Sequence, residues 1–405
     1  MSEVIKLKHV ARIRPSNVDK KTADGERGVR LCNYTDVYYN DVIRGDLEFM
    51  SASATPDQVR QFELRAGDVL ITKDSETADD IAIPAFIAED LPGVLCGYHL
   101  SLVRPQRDRI DPKFLFWCMA SSMVRSQAEN YAAGITRVGI RSELVGSLLI
   151  PYLPIERQRG IASYLDVETF RIDALIASKQ QLAELSSERL AAEVDSQTFP
   201  APRPPLLALR RVAKFIDYRG ATPQKSTEGV PLITASHVRG GRLVLDLEPQ
   251  FLSEDDYDAW MRRGLPRVGD VVMTTEAPLG EVGQVEDEHV ALAQRVVLMR
   301  SDKTRMTADY LAFTLRSPSF QGSLSANATG STARGIKVER LKALQIPVRP
   351  LEDQLDVVAY LQAQTRRHTS VVTSLSRQVA LLTEHRKALI TAAVTGEIHI
   401  PEAVA

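Results

Sequence analysis

Ile346 to Ala393 reads IPVRPLEDQLDVVAYLQAQTRRHTSVVTSLSRQVALLTEHRKALITAA. Pro347 and Pro350 stop whatever precedes them, and no glycine or proline follows until Gly396. Seam residues recur at Val358, Leu361, Thr365, His368, Val372, Leu375, Val379, Leu382, Arg386 and Leu389. The steps alternate between three and four, the period of a helix that packs along its whole length against another helix. A helix of about 40 residues is roughly 60 Å long and needs an equally long partner.

A copy within the chain supplies that partner. Ile150–Leu165 reads IPYLPIERQRGIASYL, and Ile346–Leu361 reads IPVRPLEDQLDVVAYL. The Ile-Pro, the second proline, the acid, the glutamine and the closing Tyr-Leu all align at an offset of 196 residues. RIDALIASKQQLAELSSERLAA then runs on against RRHTSVVTSLSRQVALLTEHRKAL, with one residue slipped midway. On this reading Ile161, Leu165, Ile172, Leu175 and Leu182 of the first helix pack or dock a partner. In the second helix Val358, Leu361, Val372, Leu375, Val379, Leu382 and Leu389 do the same.

The segments outside the helices repeat as well. Val212-Ala aligns with Val10-Ala and Gly269-Asp-Val with Gly67-Asp-Val at an offset of 202. Gly330 and Gly335-Ile align with Gly134 and Gly139-Ile at 196. Between these markers identity is poor. Val29–Val37 reads as a strand entering a turn, and further strands are expected at Gly67–Lys73, Ala82–Ala88, Leu100–Val103 and Leu144–Ile150, with one helix from Asp111 to about Ala128. Short strands with few helices and no βαβ rhythm predict an α+β class. The expected architecture is two globular domains separated by two long antiparallel coiled-coil helices, with an internal pseudo-two-fold repeat. The boundaries are 1–150 (first domain), 151–199 (first helix), 200–346 (linker and second domain) and 347–405 (second helix and tail). Phe199-Pro-Ala-Pro-Arg-Pro-Pro is the extended linker.

Composition narrows the function classes. Hydrophobic residues make up 44% and charged residues 25% of 405, an ordinary soluble mix with no apolar run long enough for a membrane span. MSEVIKLKHVARIRP lacks the apolar stretch of a secretory signal. Cys32, Cys96 and Cys118 are scattered, which points to free thiols in a reducing cytoplasm. A net charge of −2 gives no global basic field, so nucleic-acid binding has to be local or shared with another subunit.

No catalytic or metal-ligating constellation emerges: His-Glu-x-x-His, Cys-x-x-Cys and Gly-x-Ser-x-Gly are all absent. Gly220-Ala-Thr-Pro-Gln-Lys-Ser-Thr lacks the glycine before its lysine that a phosphate loop needs. Asp111-Pro-Lys-Phe reads as a helix start, not as a methyltransferase loop. The candidate DNA contacts are polar groups that recur at matched positions. Lys73 and Asp74 answer to Thr275 and Glu276 at equivalent strand ends. Tyr98-His99 answers to Gln294-Arg295. Arg137 and Arg141 sit on one glycine loop; Ser331, Thr332, Arg334 and Lys337 sit on the other. Hydroxyls and cations on such loops suit phosphate oxygens, and arginine also suits a guanine edge.

The pattern resembles the specificity (S) subunit of type I restriction–modification systems. The resemblance rests on the Ile-Pro-x-x-Pro-(Ile/Leu)-Glu-x-Gln helix starts, on Arg171-Ile-Asp-Ala-Leu-Ile, and on the ending LLTEHRKALITAAVTGEI. Gly-Asp-Val with Thr-Thr-Glu-Ala-Pro-Leu-Gly looks like the core of a target-recognition domain. The resemblance implies a cytoplasmic, non-catalytic subunit for antiviral defence. Each globular domain would read half of a bipartite, asymmetric site in double-stranded DNA. Two methyltransferase (modification) subunits would dock on the helices, with restriction and translocase subunits as further partners where present. S-adenosylmethionine, ATP and Mg2+ would belong to those partners, and this chain would bind no cofactor. Two alternatives remain: a coiled-coil adaptor of another complex that reads no DNA, and a methyltransferase-type enzyme.

Overall fold

A proline and a glutamine fix where each long helix begins. The computed structural model describes residues 3–134, 136–218, 222–330 and 334–400. The first long helix spans Ile155–Thr198 and the second Leu351–Thr395. Pro154 and Pro350 each immediately precede a helix, where a missing N–H costs nothing. Gln158 and Gln354 lie in the opening turns and are fully buried. Gln158 Oε1 accepts from the Asp111 N–H at 2.7 Å, while Nε2 donates to the Leu153 carbonyl at 2.8 Å. Gln354 makes the same connections to the Thr307 N–H and to the Arg349 and Arg305 carbonyls, all at 2.8 Å. The repeated glutamine therefore ties each long helix to the start of a shorter one, Pro112–Ala120 or Ala308–Arg316.

Cα packing divides the chain into two compact units, Met1–Lys179 with Arg377–Ala405 and Gln180–Ser376. Each unit holds one set of sheets and one half of each long helix.

In the first unit a five-stranded sheet runs in the order Ala11–Pro15, Leu100–Pro105, Val69–Thr72, Pro84–Ile87, Val42–Ile43. A four-stranded sheet runs Met50–Ala54, Arg27–Cys32, Leu91–Cys96, Glu63–Leu64. Val69–Thr72 is apolar on successive residues because both of its faces are covered. Val69 and Ile71 join the core that includes Ile161, Leu165, Ile390 and Val394, while Leu70 joins the core between the sheets. The second unit repeats this: Val271 and Met273 face the core with Val358 and Leu361, and Val272 faces the other. Its central sheet runs Ala213–Asp217, Val296–Ser301, Val271–Thr275, Leu279–Gln284. Glu3–Lys6 pairs antiparallel with Leu149–Tyr152, and Leu206–Ala208 pairs with Gln345–Pro347, so the isoleucine of each Ile-Pro is a buried strand residue.

The repeated Gly-Asp-Val is a folding device. Gly67 and Gly269 adopt φ of 87° and 86°, the left-handed region that glycine enters without strain. Asp68 and Asp270 are nearly fully buried. Each caps a backbone N–H three residues back and forms a two-nitrogen ion pair, with Arg104 and Arg300 respectively, both at 2.6 Å.

The fold is α+β and its element order repeats, as the sequence predicts. The details differ at four places. The segment Val29–Val37, expected as a strand entering a turn, is strand only to Cys32 and then a short helix, Tyr34–Tyr39. The single helix expected from Asp111 is two, Pro112–Ala120 and Ser122–Tyr131. Ser121 is extended between them, and its hydroxyl accepts from the Val124 N–H. Ser317 does the same before Pro318–Asn327. The strand expected over Leu144–Ile150 is a short helix, Ser142–Val145, followed by a strand from Leu149.

The fourth difference concerns helix packing. Leu175 and Leu182 are 51% and 52% exposed and do not lie in the packed seam. The least exposed positions of the first helix there are Ile176, Lys179, Ala183 and Ser186. A polar seam hides the period from a search for leucines. Within the first unit the helices pair antiparallel through Arg386–Asp173 (2.9 Å) and Lys179–Gln378 (2.6 Å). Within the second they do so through Ser186–His368 (2.9 Å) and Glu193–Tyr360 (2.8 Å). Along the second helix Val358, Leu361 and Leu375 are buried, and Val372, Val379, Leu382 and Leu389 are partly buried. No described helix is long and apolar enough to cross a membrane.

Candidate nucleic-acid interface

Three segments meet at the end of each central strand. In the first unit Val69–Thr72 runs into Lys73 and Asp74. The Lys73 N–H donates to the His99 carbonyl at 3.0 Å, bringing Tyr98-His99 alongside. The glycine loop returns as Val138–Gly139, antiparallel to Asp74–Ser75. Gly134 makes that return possible: at its φ of 146° a Cβ would lie 2.0 Å from the Arg137 carbonyl.

The side chains assemble around Asp74. His99 Nδ1 lies 2.9 Å from its carboxylate and an Arg137 terminal nitrogen lies 2.6 Å away. Lys73 Nζ donates to the Ser16 carbonyl at 2.9 Å and stands 4.2 Å from the Tyr98 ring centre. Partial burial lowers the Lys73 pKa from its ordinary value, against the opposing pull of Asp74. Arg141 is exposed just before Ser142–Val145, and borders a groove of about 550 Å3 with Lys73, Asp74 and Tyr131.

The second unit builds the same frame with other side chains. The Thr275 N–H and hydroxyl both donate to the Arg295 carbonyl, at 2.9 and 3.2 Å. Arg295 Nε faces the Glu276 carboxylate at 3.4 Å. Gly335 bridges Glu276 and Thr329, as Gly139 bridges Ala133 in the first unit. Gln294 borders a cleft of about 370 Å3 with Arg295. Arg334 and Lys337 are exposed on the returning loop. Ser331 and Thr332 lie outside the described residues, as do Gly220 and Ala221 of the segment likened to a phosphate loop.

Both strand ends thus present a carboxylate holding a cation at an exposed surface. Such clusters offer fixed donors to phosphates and base edges. Pattern reading missed two positions. Gln250 borders the second unit's cleft. Met50, its counterpart by strand register, stands opposite Leu31 as Gln250 stands opposite Leu232. Only the repeat of that pairing in both units marks them. Among the described residues no group of three or more His, Cys, Asp or Glu is placed to hold a metal ion.

No family profile matches the sequence. The EcoBI specificity subunit of a type I restriction enzyme from Escherichia coli is 18% identical over 332 residues, 75% of this chain and 69% of that protein. A chain from a structural study of complex assembly and conformational transition in the type I R-M system superimposes with a TM-score of 0.75, at 17% identity, over 98% of both chains. The chain has the fold of a type I specificity subunit. The HsdS subunit from Thermoanaerobacter tengcongensis agrees over 98% of this chain and 97% of its own, with a TM-score of 0.53 and 18% identity. The resemblance drawn from the helix starts therefore stands.

Proposed function

We propose that the chain is the DNA-specificity subunit of a type I restriction–modification complex. Residues 1–150 and 200–346 act as target-recognition domains, one for each half of a bipartite, asymmetric site in double-stranded DNA. Residues 151–199 and 347–405 act as spacer helices whose paired length fixes the number of unread base pairs. Two methyltransferase subunits dock on the helices and bring S-adenosylmethionine; restriction and translocase subunits, where present, bring ATP and Mg2+ chemistry. The chain itself is non-catalytic and cytoplasmic.

The observation that carries this reading is the duplicated strand end. Asp74 with His99 and Arg137 occupies the same frame as Glu276 with Arg295. The framework is common and the presented groups differ, as two different half-sites require. The near-neutral chain relies on its partners for part of the field that holds DNA. Exposed Phe170, Leu175 and Leu182 supply apolar surface for docking.

The test is to purify the chain with a type I methyltransferase subunit from its own genome and select from a randomised duplex library. A split motif enriched only when this chain is present is expected. Methyltransferase that selects the same motif alone would sink the proposal, and complex formation without any selection would favour the adaptor.

A further inference from the structure

Gln250 is a buried acceptor without a donor. Its Oε1 has no solvent exposure and accepts no hydrogen bond, although the residue borders a cleft with Lys225, Thr234, Gln294 and Arg295. The backbone there is fixed, since the Gln250 carbonyl accepts from the Leu232 N–H at 2.8 Å. A shielded acceptor left unmatched costs about 1–3 kcal/mol, so the amide gains by swinging out into the cleft, where a ligand's donor can reach it.

The neighbours share that chemistry. Gln294 is half-buried, and its amide makes no hydrogen bond among the described residues. Arg295 is fixed twice: its carbonyl is held by Thr275, and its Nε is turned to Glu276. The two terminal guanidinium nitrogens remain for a partner. An amide sets a donor beside an acceptor, matching N6 and N7 of adenine; a guanidinium fork matches O6 and N7 of guanine. Strand register places Met50, Tyr98 and His99 at the corresponding positions of the first unit. A thioether, a phenol and an imidazole do not reproduce those pairings.

We propose that the second unit's cleft reads purine edges in the major groove, Gln250 and Gln294 meeting adenine and Arg295 meeting guanine. This rests on the specificity-subunit reading above.

The experiment compares the wild-type complex with Gln250→Leu, Arg295→Ala and Glu276→Gln complexes in selection from a randomised duplex library. Arg295→Ala is expected to lower preference for guanine at one position by about ten- to hundredfold. Gln250→Leu is expected to relax one adenine position, and Glu276→Gln to weaken the guanine preference partly. The other half-site keeps its sequence in every variant, which shows that the complex is folded and assembled. A wild-type split motif that the variants leave unchanged, or bind uniformly more weakly as a lost phosphate contact would, overturns the purine assignment alone. No wild-type motif at all overturns the specificity reading, and this inference with it.

Discussion

Single buried polar groups carry the duplication. Gln354 satisfies one donor and two acceptors where the second long helix meets Thr307 and Arg305. Gln354→Ala strands those groups and should cost about 2–4 kcal/mol, read as a lower denaturation midpoint. Exposed Gln181→Ala should change stability by less than about 0.5 kcal/mol; equal effects would contradict the role given to Gln354. The thiols make a second prediction. Burial raises the pKa of Cys32, with Cys96 and Asp36 adding to it, and burial raises Cys118 above the ordinary 9.0. A raised folded pKa means the contribution to stability is complete below the ordinary thiol value. It is lost as pH climbs above that value, because the unfolded chain ionises first. Stability should therefore fall above about pH 9, and the folded thiols should resist thiol reagents at pH 8. Rapid labelling of the native chain at pH 8 would refute the burial argument. The sequence marked Gln158, Gln354, Asp68 and Asp270 through repetition. Their partners Arg104 and Arg300 escaped notice, because pairing across a sheet leaves no local signal. Gln250 and Met50 escaped for the same reason.

At the scale of elements, what could be read depended on how apolar the pattern is. The second long helix shows its seam because Val358, Leu361 and Leu375 fall at heptad positions and are buried. The first hides its seam behind Lys179, Ala183 and Ser186, and so draws attention to the exposed Leu175 and Leu182. The break at Ser121 turns on one hydroxyl, beyond the reach of periodicity. Polar seam pairs fix register at a cost in stability. Replacing both Ser186 and His368 with leucine should raise the midpoint of thermal unfolding while leaving the helix pair free to slip. Cysteine pairs placed across the seam would report slippage as a second crosslinked product. A destabilised variant with a single register would show that the Ser186–His368 contact stabilises instead.

Across the whole molecule, one chain carries one frame twice, with different groups at each strand end. On the proposed reading, seven residues added to each long helix keep the heptad seam. They lengthen the pair by about 10 Å, roughly three base-pair steps of 3.4 Å. The gap in the selected site should widen by about that amount while both half-sites keep their sequences. An unchanged gap would remove the spacer role. Local charge clusters on a chain of net −2 fit shared DNA binding better than binding by this chain alone.

The most direct measurement is modified-base sequencing of DNA from a methylation-free bacterial host. The host carries a type I methyltransferase gene from the same genome, with or without the gene for this chain. The expected result is methyladenine in both parts of one split motif, present only when this chain is made. Methylation that persists without the chain, or that never forms a split motif, would contradict the claim that this chain chooses the site.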